Sequence, residues 1–326
     1  MSLKYRQAIT EAIAEEMSRD ESVVLFGEDV AAAGGTFAAT KGLLERFGPN
    51  RVRDTPISEA VLTGLATGAA MTGLRPIVEI MYFDFMTLAS DQLVNHAAKV
   101  RSVSGGEFSV PMVVRTMSGA GRNSGPQHSQ NLEGWLAQVP GLKVVAPATP
   151  ADVKGLLKSA VRDPDPVIVI ESQLLWGQVG PVGGADELVP IGSASVARPG
   201  RDLTVVVWSG MLPRALAAAQ RLADEDGASV EVLDLRSLSP LDEDAVLASA
   251  RRTGRVLVAH DAVGSFGPGA EIAALVADRA FDALRAPVRR VTAPFAPVPQ
   301  STALELGYYP QTDTLVSVAR DLLARG

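Results

Sequence analysis

Two stretches of this chain carry residues able to move protons. Asp54-Thr55-Pro56-Ile57-Ser58-Glu59 places a carboxylate at the start of a Gly- and Ala-rich helical pattern, just after the strand-like Arg51-Val52-Arg53. Gly125-Pro126-Gln127-His128-Ser129-Gln130 is a polar, glycine-containing stretch between apolar segments. A carboxyl group and an imidazole delivered from two strand ends make an acid/base pair, since imidazoles ordinarily titrate near neutral pH. Each residue also has a plain structural use. Negative charge at a helix N-terminus stabilises the helix by about 0.3–1 kcal/mol, and a loop histidine can simply bond to its neighbours.

Tyr82, Phe83 and Phe85 follow the apolar run Pro76–Ile80. Aromatic rings at a strand end can bracket a flat heteroaromatic ligand; core packing is the competing use, and it is favoured for Phe83. His96 falls in a helical pattern and His260 at the end of a strand pattern in the second half. The scattered histidines have no metal-ligand spacing.

These residues need elements to hold them. The chain has 326 residues, 47% of them hydrophobic, too many for one ordinary core, so two domains are expected. Strand runs such as Val23–Phe26, Pro76–Ile80, Val110–Arg115, Leu142–Val145 and Val167–Ile170 alternate with helical patterns over residues 3–17, 59–72, 88–98 and 151–161. That alternation predicts an α/β fold with mostly parallel sheets flanked by helices. Residues 1–176 form the first expected domain. Glycines and prolines punctuate 177–191, an interdomain connection with some extended structure. Residues 192–326 form a smaller α/β domain, with strands at Leu203–Val207, Val230–Leu233, Val256–Val258 and Val288–Val291.

Composition excludes several classes of function. Without cysteine there is no disulfide, no Cys-ligated zinc and no thiolate nucleophile. A net charge of −7 gives no support for nucleic-acid or anionic-membrane binding. No apolar run is long enough to span a bilayer and the first residues lack a signal-peptide core, so a cytoplasmic location is expected. Ala60, Gly64 and Gly68 share one helical stripe; each interior Gly costs roughly 1 kcal/mol relative to Ala, so another backbone is expected to come close. Helix–sheet packing inside the domain and a helix contact across a subunit interface are equally good readings of the stripe.

Six motifs occur in order: Phe26-Gly27-Glu28-Asp29-Val30, Asp54 to Glu59, Gly73 to Glu79, Asp91-Gln92-Leu93-Val94-Asn95, Gln127-His128-Ser129-Gln130, and Pro140 to Val145. With them the whole chain resembles the β subunit of the decarboxylating component of 2-oxo acid dehydrogenase complexes. Pyruvate, branched-chain 2-oxo acid and acetoin dehydrogenases share this subunit. The resemblance implies a transketolase-like pyrimidine-binding domain followed by a transketolase C-terminal-like domain. It also implies thiamine diphosphate as cofactor and oxidative decarboxylation with reductive acylation of lipoamide.

By that resemblance Glu59 bonds the cofactor's pyrimidine ring, where a partly buried carboxyl can share a proton with a ring nitrogen. His128 faces the substrate and is associated with transfer to lipoamide. Phe85 packs on the pyrimidine with Met81 nearby, and Glu28 helps line a polar passage between paired active sites. The turn after the helical pattern ending at Ala160 and Val161, with Asp163, is where the family places potassium; a simple Asp-Pro turn is the alternative.

The family holds the diphosphate through Mg2+ and a Gly-Asp-Gly motif, which this sequence lacks. An α subunit is therefore expected to supply that half of the site in an α2β2 heterotetramer, with a lipoyl acyltransferase core as further partner. A split transketolase-like or acyloin-forming carboligase subunit, and a noncatalytic assembly subunit, are the competing readings. His260-Asp261-Ala262 departs from the family, where a Glu-containing segment is common. Arg122 could attract a substrate carboxylate, though a loop arginine is more often only solvated.

Overall fold

The computed structural model describes residues 1–325. Its strands are β1 (Ser2–Lys4), β2 (Val23–Gly27), β3 (Val52–Asp54), β4 (Arg75–Tyr82), β5 (Val113–Ser118), β6 (Lys143–Val145) and β7 (Val167–Ser172). They continue with β8 (Val179–Pro181), β9 (Ser195–Arg198), β10 (Leu203–Val207), β11 (Val230–Asp234), β12 (Ser237–Ser239), β13 (Val256–Val263) and β14 (Arg289–Ala293).

A seven-stranded sheet has the order β12-β6-β7-β5-β4-β2-β3, parallel except for β12. β2, β5 and β7 are buried along their whole length, as strands covered on both faces must be. On one face lie the helices Tyr5–Arg19 and Pro150–Arg162, sharing a core with Leu25, Val113 and Val169. On the other lie Glu59–Met71 and the helical run Met86–Ala97, over Val78, Val114 and Ile168.

The second sheet has the order β14-β13-β10-β11-β9 and is parallel except for β9. The helices Leu212–Asp226 and Thr312–Leu323 share one of its cores. Two features bind the sheets together. β12 leaves the second domain to pair antiparallel with β6. Val206, Trp208 and Leu233 belong to the same apolar cluster as Ile170 and Leu136. β8 lies within the connecting residues and pairs antiparallel with β1. Among the described residues, no helix is long and apolar enough to cross a membrane.

Three expectations change. The strand expected at Val110–Arg115 begins at Val113, after Pro111, which has no N–H to donate. His260 lies inside β13 rather than at a strand end. The glycine stripe does not face the sheet. A Cβ on Gly64 would stand 3.0 Å from Gln92 Oε1, and nothing lies within 4 Å of one on Gly68. Ala60 and Gly68 are exposed beside Val61 and Leu65, so packing against the sheet is not the reason for the stripe.

Candidate active site

Strand order brings the candidate residues to one edge. β5, β4, β2 and β3 are neighbours, all parallel, so the segments that leave them emerge at the same end of the sheet. Those segments carry His128, Tyr82–Phe85, Glu28 and Glu59 respectively. The chain leaving β2 runs toward β3, and the chain leaving β4 runs the other way, toward β5. Connections that diverge in this way open a crevice at the carboxyl ends of the strands, where ligands bind in open α/β sheets.

Glu59 is the first residue of its helix and only 6% exposed. Among the described residues, none gives its carboxylate a hydrogen bond or an ion pair. A largely buried carboxylate whose oxygens still reach the surface is open to a donor from a bound group. Glu28, half-buried after β2, is in the same condition; burial first, and then the neighbouring Glu59, push its carboxyl up from the ordinary range. Asp54 is engaged elsewhere. It accepts from the Ala31 and Ala32 amides at 2.7 and 3.1 Å and so shapes the loop after Glu28.

On the other side of the crevice, Tyr82, Phe85 and His128 form a ring cluster. The His128 imidazole stands edge-on to both, with centroids 4.9 Å from Tyr82 and 5.3 Å from Phe85. Burial and then Asp84 push the Tyr82 phenol up, and Arg122 partly offsets them, which places the exposed Arg122 in electrostatic reach of the cluster. Phe83 is wholly buried core. Met81 packs against the cluster under Tyr5–Arg19, whereas Phe85 packs against the one under Glu59–Met71.

Sequence reasoning passed over Asp84, although a lone acid inside Phe83-Asp84-Phe85 was a signal. It is buried and its Oδ1 accepts from Gln130 Nε2 at 2.8 Å, tying the end of β4 to the His128 loop. It also passed over the ion triad beneath the crevice. Arg115 donates to Glu79 at 2.7 Å and to Glu171 at 2.8 Å from three adjacent strands. A charged residue in each of three β-rich runs was the available sign.

The turn expected to hold a cation has protein donors on its acceptors. Ala160 O accepts the Asp163 amide, and Val161 O accepts Arg75 Nη1 at 2.7 Å. The Asp163 carboxylate receives Lys143 Nζ at 2.7 Å. Two protein cations, Arg75 and Lys143, thus reach the turn. His96 lies outside the site, exposed and 3.6 Å from Asp91. His260 is buried and stacked on Trp208, and burial holds its imidazole down at about 4, in the neutral form.

A groove of about 400 Å3 adjoins the His128 loop on the second-domain side; Ser129, Leu132, Asp261, Phe295 and Tyr309 are among its walls. Asp261, at the position that departs from the resembling family, pairs with Arg214 at 2.9 Å.

Comparison with known proteins places both domains. Residues 1–178 match the transketolase pyrimidine-binding domain and residues 192–315 the transketolase C-terminal domain. The chain is 44% identical to pyruvate dehydrogenase E1 component subunit beta-2, mitochondrial, of Oryza sativa subsp. japonica, over 97% of this chain and 85% of that one. It is 46% identical to the acetoin:2,6-dichlorophenolindophenol oxidoreductase subunit beta of Bacillus subtilis, over 97% and 96%. Its fold matches a split gene transketolase, inactive beta4 tetramer, with a TM-score of 0.81 at 22% identity over 99% of both chains. The crevice, the paired domains and these full-length similarities together establish that the chain belongs to the family of β subunits of the thiamine-dependent decarboxylating component of 2-oxo acid and acetoin dehydrogenases.

Proposed function

We propose that this chain supplies the pyrimidine-binding half of a thiamine diphosphate site. With an α subunit in an α2β2 assembly, it oxidatively decarboxylates a 2-oxo acid and passes the acyl group to lipoamide on an acyltransferase core. The observation that carries this reading is the largely buried Glu59 side chain, whose carboxylate has no donor among the described residues. A ring nitrogen able to share a proton is the group it fits, and the rings of Tyr82, Phe85 and His128 suit a flat heterocycle. When bound, thiamine diphosphate supplies a nucleophilic carbon and an electron sink.

The chain's own residues do the rest. Glu59 holds a proton at the ring nitrogen, and Glu28 keeps a second carboxyl close to it. His128 moves a proton on the substrate side, and Arg122 attracts the substrate carboxylate. Mg2+ and the diphosphate fall to the α subunit: this sequence has no Gly-Asp-Gly motif, and no His/Cys/Asp/Glu cluster suited to a metal occurs among the described residues. A partner chain is also supported by the exposed apolar ridge of Ile57, Val61 and Leu65 beside Glu59, with the open Gly68 stripe on the same helix.

The 46% identical acetoin relative supports a second reading, in which acetoin replaces the 2-oxo acid and no carboxylate is lost. Co-expression with the α subunit decides. Pyruvate, branched-chain 2-oxo acids and acetoin are offered with a lipoyl domain or with dichlorophenolindophenol as acceptor. Lipoyl-domain acylation from a 2-oxo acid is expected; turnover of acetoin alone selects the second reading. Tight cofactor binding and full turnover by the lone chain would refute the shared site.

A further inference from the structure

The loop between β5 and the helix Glu133–Ala137 carries His128, yet its own backbone scarcely holds it. Near the imidazole its internal backbone hydrogen bond is the one that His128 N donates to Gly125 O, at 3.3 Å. What fixes it comes from the far end of the sequence. Glu305, 3% exposed on the helix Thr302–Tyr308, accepts from Gly121 N at 3.0 Å and from Asn123 N at 2.7 Å. Gly121 (φ +76°) and Asn123 (φ +58°) are left-handed, and these turns present both amides to one carboxylate. Charge-assisted bonds of this kind are about twice as strong as neutral ones.

A second tie lies on the other side of the imidazole. Tyr309 donates its hydroxyl to Ser129 O at 3.1 Å, one residue beyond His128. Ala120 packs with Ala293, Val298, Tyr308 and Tyr309 in a small core at the end of β14. The loop is thus held by the C-terminal domain at 121, 123 and 129, and by Asp84 of the first domain at 130.

We infer that Glu305 and Tyr309 are positioning residues for His128, through which the C-terminal domain sets where the imidazole stands. The inference rests on the proposed role of His128, and its test separates the two. Glu305→Gln and Tyr309→Phe are made in the α2β2 holoenzyme, each with His128 intact and with His128→Gln. Every assembly is assayed for lipoyl-domain acylation, and those that keep His128 are assayed separately for the rate at which diethyl pyrocarbonate modifies it, with the exposed His96 as internal reference.

Misplacing a reacting group by about 1 Å costs on the order of 100-fold, so Glu305→Gln is expected to slow acylation roughly 10- to 100-fold. In the His128→Gln background it is expected to change it less than about twofold, because residues acting through one another are not additive. His128 modification changes several-fold while His96 does not. Equal losses in both backgrounds, or an unchanged rate of His128 modification in both variants, overturn the inference. If His128→Gln leaves acylation intact while Glu305→Gln still alters His128 modification, the role proposed for His128 fails and the positioning stands.

Discussion

The His128 imidazole stands edge-on to Phe85, centroids 5.3 Å apart and planes at 88°. A ring edge against a ring face fixes orientation as well as distance, and such pairs contribute about 0.5–1.5 kcal/mol beyond burial. Phe85→Leu keeps an apolar side chain against the core and removes the ring. Turnover of the α2β2 enzyme is expected to fall by about 3- to 10-fold, the rate equivalent of that energy. Unchanged turnover would show that the contact has no part in orienting the imidazole.

Glu59→Gln keeps the shape of the side chain and removes the proton exchange. A positioned acid or base contributes on the order of 100- to 10,000-fold, so at least a 100-fold loss of turnover is expected. Assembly with the α subunit, followed by sedimentation, stays intact, because the carboxylate makes no ion pair among the described residues. Wild-type turnover would remove Glu59 from the mechanism.

How far the sequence discloses this site follows from the kind of signal each residue leaves. The alternation of β-rich and helical runs foretells parallel strands, and parallel strands deliver Glu28, Glu59, Phe85 and His128 to one edge. Local signals of this kind survive in one dimension. Glu305 does not: its meaning is the pair of amides 184 and 182 residues earlier in the chain. The surroundings of the Ala160–Asp163 turn are hidden for a similar reason, since Arg75, which donates to Val161 O, lies 86 residues away. The short strand β12 is hidden because it pairs with the other domain's sheet.

Arg115 lies between Glu79 and Glu171 with almost no exposure, 2.7 and 2.8 Å from their carboxylates. Burial alone would lower the guanidinium's proton affinity, and Glu171 and Glu79 more than reverse that. Arg115→Met leaves two buried carboxylates without their cation, a change that costs about 3–5 kcal/mol. A urea titration is expected to show the loss at neutral pH. A smaller loss is expected where the carboxyls can take up protons.

Burial pushes the Glu133 carboxyl up to about 7, despite the hydrogen bond it accepts from Trp208 Nε1 at 3.1 Å. Asp234 is pushed up to about 8, by burial and then by Asp152. The native state then holds protons that the unfolded chain has released, so stability falls as pH rises from the ordinary carboxylate range through 7–8. For Glu133 alone the loss is on the order of 3 kcal/mol, at about 1.4 kcal/mol per pH unit. Glu133→Gln retains an acceptor for Trp208 and is expected to flatten the dependence between pH 5 and 7. A slope unchanged in denaturant titrations would place the uptake elsewhere.

Gly119 follows β5 and touches the imidazole's own backbone. A Cβ there would lie 2.0 Å from His128 O and 3.1 Å from the Tyr82 ring. Backbone cannot yield as the tip of a flexible side chain can, so Gly119→Ala must displace the His128 backbone. Asp84, Glu305 and Tyr309 hold the loop's remaining ties, so the displacement is expected to stay local and to leave the domain folded. Acylation of the lipoyl domain should therefore fall by 10-fold or more, since small displacements of a reacting group are costly, while the thermal midpoint drops by only a few degrees, the equivalent of about 1–2 kcal/mol for a chain of this size. Full acylation activity in Gly119→Ala would mean that the imidazole works from a position other than the one beside Tyr82 and Phe85.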